Sequence, residues 1–60
     1  MVDHDEVITV AEGMTKKGGS FVKALGYALY KADQYNQEKI KATWPTYWQQ
    51  YKDIGEKMRD

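Results

Sequence analysis

Residues 44–58 read WPTYWQQYKDIGEKM, and this stretch predicts the last helix of the chain. Pro45 disfavours helical geometry in Trp44, and it suits the first turn of a new helix because it lacks a backbone N–H. Beyond the proline, apolar side chains recur at helical spacing, namely Tyr47, Trp48, Tyr51, Ile54 and Met58. Polar and charged residues fill the positions between them. The pattern predicts a helix over about 45–58 with one aromatic face.

Residues 20–43 contain the start signals of further helices. Ser20 follows two glycines and is a favourable N-cap, and Asp33 is the next cap candidate. An apolar face runs along the first segment through Phe21, Ala24, Leu25, Ala28, Leu29 and Ala32. Its three alanines form a narrow edge that would let another helix approach, and Gly26 is a weak point. We expect helices over about 20–32 and 34–43; one long helix is the alternative, because no Gly or Pro occupies residues 31–33.

Residues 1–17 fit more than one structure. Asp3 and Glu6 have the spacing of a capping box, and an apolar helical face follows with Val7, Val10, Ala11 and Met14. The β-branched run at 7–10 would also suit a short strand, and Gly13 weakens a helix by about 1 kcal/mol relative to Ala. We expect a helix over about 4–16 with residues 1–5 frayed; a strand-like or disordered arm is the alternative.

The chain has sixty residues, no cysteine and a net charge of zero. A chain of this length buries only about 60% of the surface that it exposes when unfolded. Disulfides are impossible, and a closed zinc site is excluded because His4 is the only histidine. Eight aromatic residues compensate for few aliphatic ones. We therefore expect a single all-α domain over residues 1–60, a bundle of three to four short helices with a core of aromatics and alanine.

The zero net charge conceals two oppositely charged segments. Residues 1–12 carry four acids and no Lys or Arg, whereas residues 13–31 carry four lysines and no acid. Such segments can pair within one chain or across a dimer. The acidic N-terminus resembles neither a signal peptide nor a transit peptide, and no apolar run is long enough to span a membrane. The absence of cysteine fits a reducing cytoplasm.

Catalytic and metal-binding patterns are missing from the sequence. Ser20 is the only serine, and no base is placed beside it to activate a nucleophile. Asp3, His4, Asp5 and Glu6 offer ligands for a loosely held cation, but a solvated acidic terminus is the favoured interpretation. We expect a non-enzymatic protein with no catalytic residue, no metal and no cofactor.

Seven tyrosine and tryptophan rings are more than so short a chain can cover. Trp and Tyr are enriched at the energetic centres of protein interfaces. A core role is favoured for Trp44, Trp48 and Tyr51, and the odds are nearly even for Tyr30 and Tyr47. The sequence predicts binding to a protein, or to a second copy of the chain in a homodimer, through an aromatic patch drawn from Tyr30, Tyr47, Trp48 and Tyr51.

A second hypothesis is a weak nucleic-acid-binding accessory module. Lys16 and Lys17 precede two glycines and a helix start, where free backbone N–H groups attract anions, and Lys23 lies one turn further. These lysines would contact phosphates while exposed aromatics stack on bases. The spacing of a phosphate-binding loop is absent, and zero net charge weakens the hypothesis. The favoured interpretation of this segment is a helix end, a turn and a new N-cap.

A longer pattern covers residues 18–51 and has the form GGSFxxAL…AD…N…KIK…(aromatic)-Pro-x-Tyr. It comprises Gly18-Gly19-Ser20-Phe21, Ala24-Leu25, Ala32-Asp33, Asn36, Lys39-Ile40-Lys41 and Trp44-Pro45-x-Tyr47. The pattern resembles small uncharacterised proteins encoded in bacteriophages and prophages. The resemblance implies a phage-derived protein acting in the cytoplasm of a bacterial host cell, and it implies no catalytic or binding residue.

Overall fold

A computed structural model of the chain describes residues 2–59, whose regular structure consists of four helices. They are α1 (His4–Lys17), α2 (Ser20–Lys31), α3 (Gln34–Thr43) and α4 (Pro45–Met58). The prediction of an all-α bundle is confirmed, and each predicted helix end lies within one residue of the observed one. Within this part of the chain, no helix combines the length and the apolar character needed to cross a membrane.

Helix α1 is the central element, because it packs against α2 on one side and α4 on the other. Its predicted apolar face is buried, with Val10, Ala11 and Met14 fully enclosed. Leu29 of α2 and Trp48 of α4 complete the core. Residues 4–17 thus form the expected helix rather than a strand-like or disordered arm, since a helical period places these side chains between α2 and α4.

The buried face of α2 differs from the predicted one. The residues turned toward the core are Val22, Leu25, Gly26 and Leu29, whereas Phe21, Ala24 and Ala28 are exposed. A Cβ added to Gly26 would lie 2.8 Å from the Cβ of Met14, so α2 meets α1 through its glycine side. The alanine edge is therefore not the side of α2 that packs on α1, since Ala24 and Ala28 are exposed and Ala32 is half-buried.

Helices α1 and α4 cross with their backbones in contact. A Cβ on Gly13 would overlap the carbonyl oxygen of Tyr51, and a Cβ on Gly55 would overlap that of Thr9. Gly13 lowers the helix propensity of α1, but a glycine is required there for the close approach of the two backbones.

Local chemistry explains where α2, α3 and α4 begin and end. Ala32 is extended (ψ 140°), and the Asp33 carboxylate accepts a hydrogen bond from the Asn36 N–H at 2.9 Å, which starts α3. Residues 20–43 therefore form two helices. Pro45 occupies the first turn of α4, as predicted, after Trp44 leaves the helical region at φ −127° and ψ 63°. Ser20 is the first residue of α2, so Gly19 rather than Ser20 is its N-cap.

The predicted capping box of α1 does not form, because Glu6 bonds to distant helices instead. Asp3 is the N-cap but makes no side-chain cap bond. Glu6 Oε2 accepts hydrogen bonds from Trp48 Nε1 at 2.6 Å and Lys41 Nζ at 3.0 Å, and Lys52 Nζ lies 4.0 Å from Oε1. The Glu6 carboxylate therefore links α1 to α3 and α4.

The acidic N-terminal segment pairs with the end of the chain. Besides the Glu6 contacts, Glu12 accepts a hydrogen bond from Arg59 Nη2 at 3.1 Å. Within residues 2–59, no ion pair joins residues 2–12 to the lysines of residues 13–31. Val2 is buried against the core, whereas residues 3–5 are exposed and α1 begins at His4; Met1 lies outside the described residues.

Replacing Gly13 with alanine tests the backbone crossing of α1 and α4. The gain in helix propensity, about 1 kcal/mol, is outweighed by the overlap with the Tyr51 carbonyl, and we expect a net loss of about 2 kcal/mol or more in unfolding free energy. Urea unfolding followed by circular dichroism measures it. Gly19→Ala is the matched control, since an added Cβ there has no atom within 4 Å. Equal stability of the two variants would contradict the crossing.

The Glu6 contacts predict a pH dependence of stability. The Trp48 indole N–H, aided by Lys41 and Lys52, holds the pKa of the Glu6 carboxyl below its ordinary value of 4.5, although partial burial opposes this. Because the folded pKa is lowered, the stabilisation is fully present above the unfolded pKa and is lost as the pH falls through the folded pKa. The difference in unfolding free energy between the wild type and Glu6→Gln should therefore shrink below about pH 4.5.

The matched control for this measurement is Glu56→Gln, which removes an exposed carboxylate of α4. Its difference from the wild type should change little over the same pH range. A Glu6→Gln difference that stays constant with pH would show that the Glu6 charge does not stabilise the fold.

Candidate functional site

Helix α3 is attached at the edge of the bundle and leaves a groove beside α2. None of its residues is fully buried, and Ile40 is only partly covered by the core. The groove has a volume of about 530 Å³. Its apolar walls are Ala28, Ala32, Ile40 and Trp44, and its polar rim is Lys31, Asn36, Lys39 and Thr43. We call this feature the α2–α3 groove.

An aromatic patch continues the groove toward α4. The ring centroids of Phe21 and Trp44 are 6.0 Å apart with an edge-to-face angle of 65°, and those of Phe21 and Tyr47 are 6.3 Å apart. Such pairs hold each other in defined orientations. Phe21 is 56% exposed although its ring has two aromatic neighbours. Trp44 lines both the groove and the patch, so Phe21, Trp44 and Tyr47, named here the aromatic patch, form one apolar surface with the groove.

The outward side of α2 is also rich in large rings. Eight of its twelve residues are exposed, among them Tyr27 and Tyr30. Tyr35 of α3 is exposed as well, and Lys39 Nζ lies 5.8 Å from the centre of its ring. Four short helices thus leave several aromatic side chains on the surface, as the length of the chain predicts.

The predicted interface residues fall into two groups. Trp48 is 2% exposed and Tyr51 is 8% exposed, so both belong to the core, and a partner cannot reach them in this fold. The reason is that the inner side of α4 faces α1, where Glu6 satisfies the Trp48 indole N–H. Tyr30 is exposed and Tyr47 is partly buried at the edge of the aromatic patch. Only Tyr30 and Tyr47 of the four remain accessible.

For three residues of the groove and the patch, the sequence predicts burial in the core instead. Phe21 and Ala28 fit the apolar period of α2, which predicts them on its core face, and a core role is favoured for Trp44. A signal for the correct face was present in Gly26, since a glycine inside a helix often marks a close backbone approach. Turning Gly26 toward α1 places Phe21 and Ala28 on the other side of α2.

The candidate anion-binding lysines lie outside the groove. Lys16 and Lys17 occupy the last turn of α1, where cations favour the helix dipole, and Lys23 is exposed on α2. None of the three forms an ion pair within residues 2–59. The first turn of α2 contains no acid and no side-chain cap. The structure thus leaves these lysines on the surface without a defined site.

The acidic residues of α1 face a shallow hollow that also contains cations. Asp3, Asp5, Glu6 and Glu56 share it with Lys52 and Arg59. In the described residues, no group of three or more His, Asp or Glu side chains is arranged to hold a metal ion. The hollow is electrically mixed: Glu6 accepts hydrogen bonds from Trp48 and Lys41, and Arg59 donates to Glu12.

No protein family, curated protein or solved structure matches this chain. The α2–α3 groove and the aromatic patch are two adjoining surface features. Their shared character is an apolar surface with lysines at its edge.

Substitution of Trp48 and Phe21 separates the core from the surface patch. Trp48→Ala should cost about 3–5 kcal/mol and unfold a domain of this size, because a buried ring and a hydrogen bond are lost. Phe21→Ala should leave the helical circular dichroism signal intact and change the unfolding free energy by about 1 kcal/mol or less, because half of the ring is already in water. A folded Trp48→Ala variant would contradict the assignment of Trp48 to the core.

Proposed function

We propose that this chain is a non-enzymatic helical protein that binds another protein through the α2–α3 groove and the aromatic patch. The observation that carries the proposal is the continuity of the two surfaces at Trp44. Contiguous exposed apolar surface is unfavourable in water, and in soluble proteins it marks binding sites.

The shape of the site supports a helical or extended protein segment as the ligand. The α2–α3 groove is open along its length and is walled by small side chains, Ala28 and Ala32, opposite the larger Ile40 and Trp44. A groove between two helices is a common seat for a third helix, whose apolar side chains fill it. Phe21 and Tyr47 then act as rigid aromatic contacts at one end.

The biological setting is part of the same proposal. We infer from the residue pattern at 18–51 that the protein is of phage or prophage type and acts in the cytoplasm of a bacterial host cell. The partner is then a bacterial or phage protein or a second copy of the chain. Binding through a preformed surface requires no catalytic group, no metal and no cofactor.

A weak nucleic-acid-binding module is the second candidate function. It is favoured by the exposure of Lys16, Lys17 and Lys23, with Tyr27 on the same helix as Lys23. The zero net charge and the position of these lysines away from the groove count against it. Titration of fluorescent single-stranded and double-stranded DNA at two salt concentrations decides the matter, since the absence of binding at low salt would exclude it.

Site-specific photo-crosslinking in bacterial cells tests the proposed function. A benzophenone amino acid at position 21 should give discrete protein adducts, because this position lies at the aromatic patch. The same amino acid at Gln50, an exposed position of α4, should give none. Mass spectrometry identifies the adducts.

The charge substitution Ala28→Glu should abolish the adducts formed from position 21, because it places a carboxylate in the apolar groove. Ala42→Glu makes the same change at an exposed site of α3 outside the groove and should leave them unchanged. Adducts of equal yield from positions 21 and 50, or none from either, would count against a protein-binding role.

A further inference from the structure

The rim of the α2–α3 groove is positively charged. Lys31 and Lys39 stand on opposite helices at its edge, and the other polar lining residues, Asn36 and Thr43, are neutral. Helix α2 contains two lysines and no acid. No carboxylate of the described residues lines the groove. The lining residues of the groove thus include two lysines and no carboxylate.

The nearest acids of α3 are directed to other contacts. The Asp33 carboxylate accepts the backbone N–H of Asn36, which fixes the start of α3. Glu38 lies beside a different hollow, which it shares with Val2, Lys41 and Ala42. No acid therefore lines the groove itself, and the charged Asp33 carboxylate is bound to the backbone of Asn36.

The dimensions of the groove match a short helix. Only the end of α2, from Ala28, lines the groove, whereas the α3 wall runs from Asn36 to Trp44, about 12 Å at 1.5 Å per residue. A docked helix of about two turns would span this wall, with apolar residues at i, i+3, i+4 and i+7 against it. The residues that flank this stripe would lie beside Lys31 on one side and Lys39 on the other.

A second copy of the chain fits this groove poorly. Its free apolar helix is α2, which would bring Lys23 and Lys31 toward Lys31 and Lys39 of the first copy. Like charges at an interface are unfavourable. Three of the nine acids of the chain lie in α1 and two lie in α4, and the apolar faces of both helices are buried in the core of the chain. Among the four helices of residues 2–59, none thus offers both an exposed apolar stripe and acidic flanks.

From these features we propose that the ligand of the α2–α3 groove is an amphipathic helix of a different protein, with an apolar stripe flanked by acidic residues. The proposal rests on the proposed function and adds the chemistry of the partner. Apolar burial supplies the affinity, while Lys31 and Lys39 select acidic flanks and exclude basic ones.

A helical peptide library tests the chemistry of the partner. Peptides of about fourteen residues carry Leu, Ile or Phe on one stripe, and the flanking positions vary among Glu, Gln and Lys. They are selected on the wild-type chain and counter-selected on Ala28→Gln, which disturbs the apolar groove without adding a charge, with Ala42→Gln as the control that should retain them. We expect Glu at the flanking positions, and binding by fluorescence anisotropy at least about tenfold tighter than for the Lys-flanked version.

Charge reversal on the protein tests the same contact from the other side. Lys31→Glu should weaken the selected acidic peptide about fivefold at low salt and less at high salt. Lys57→Glu is the matched control, because Lys57 is also exposed in the last turn of its helix, and it should have no effect. Equal weakening by both variants would overturn the assignment of Lys31 to the site.

The remaining outcomes separate this inference from the proposed function. If the selected peptides depend on Ala28 but carry neutral or basic flanking residues, the proposal of an acidic partner is overturned, whereas the proposal of protein binding is kept. Concentration-dependent dimerisation in sedimentation that Ala28→Glu abolishes would assign the groove to a second copy. Failure to select any groove-dependent peptide overturns the inference alone if position 21 still crosslinks a protein. It overturns both if position 21 crosslinks none or if only DNA binds.

Discussion

The backbones of α1 and α4 touch where Gly13 faces Tyr51 and Gly55 faces Thr9. A single added methyl group at either glycine would overlap a carbonyl oxygen of the opposite helix. This approach brings Trp48 and Tyr51 against the apolar face of α1, where their rings are buried. A chain with few aliphatic side chains and no disulfide thus obtains its core by bringing backbones close together and filling the sides with large rings.

The same constraint determines what remains uncovered. α1 is occupied by α4 on one side and by α2, through Gly26, on the other, so α3 has only the edge of the bundle to lie on. Its attachment combines the partly buried Ile40 with the ion pair from Lys41 to Glu6. Because α3 lies at this edge, the apolar side of α2 that contains Ala28 is left as one wall of an open groove. The groove therefore results from the way in which α2 and α4 occupy α1 and leave α3 at the edge.

Most of the helix ends could be predicted from sequence, because their causes are local. Pro45 starts α4 by its own geometry, and Asp33 caps α3 through a residue three positions away. The face of α2 could not be predicted from its period, since Phe21, Ala28 and Val22 offer two overlapping apolar sides. The contact of Gly26 with Met14 and Thr15 decides between them, and that contact joins separate helices.

The candidate site could be predicted only in part, because contacts between separate helices also decide which aromatic rings are buried. An excess of aromatic rings for the chain length correctly implied exposed aromatics, but composition does not say which rings are covered. Glu6 shows why: its spacing from Asp3 suggested a local cap, whereas its carboxylate bonds to Trp48, 42 positions along the chain. The charges of residues 2–12 likewise pair with α3, α4 and Arg59, partners that only the tertiary structure brings near.

Trp44 and Trp48 show how one aromatic stretch can provide both a core ring and a surface ring. The two residues are four positions apart across the start of α4. Trp48 points at α1, donates its indole N–H to Glu6 and is enclosed. Trp44 precedes the proline turn, stays partly exposed and contacts Phe21 edge-to-face. Because the proline turn separates the two environments, the surface ring can be altered without removing the core ring. In so small a protein, that separation lets the aromatic patch vary while the crossing of α1 and α4 is kept.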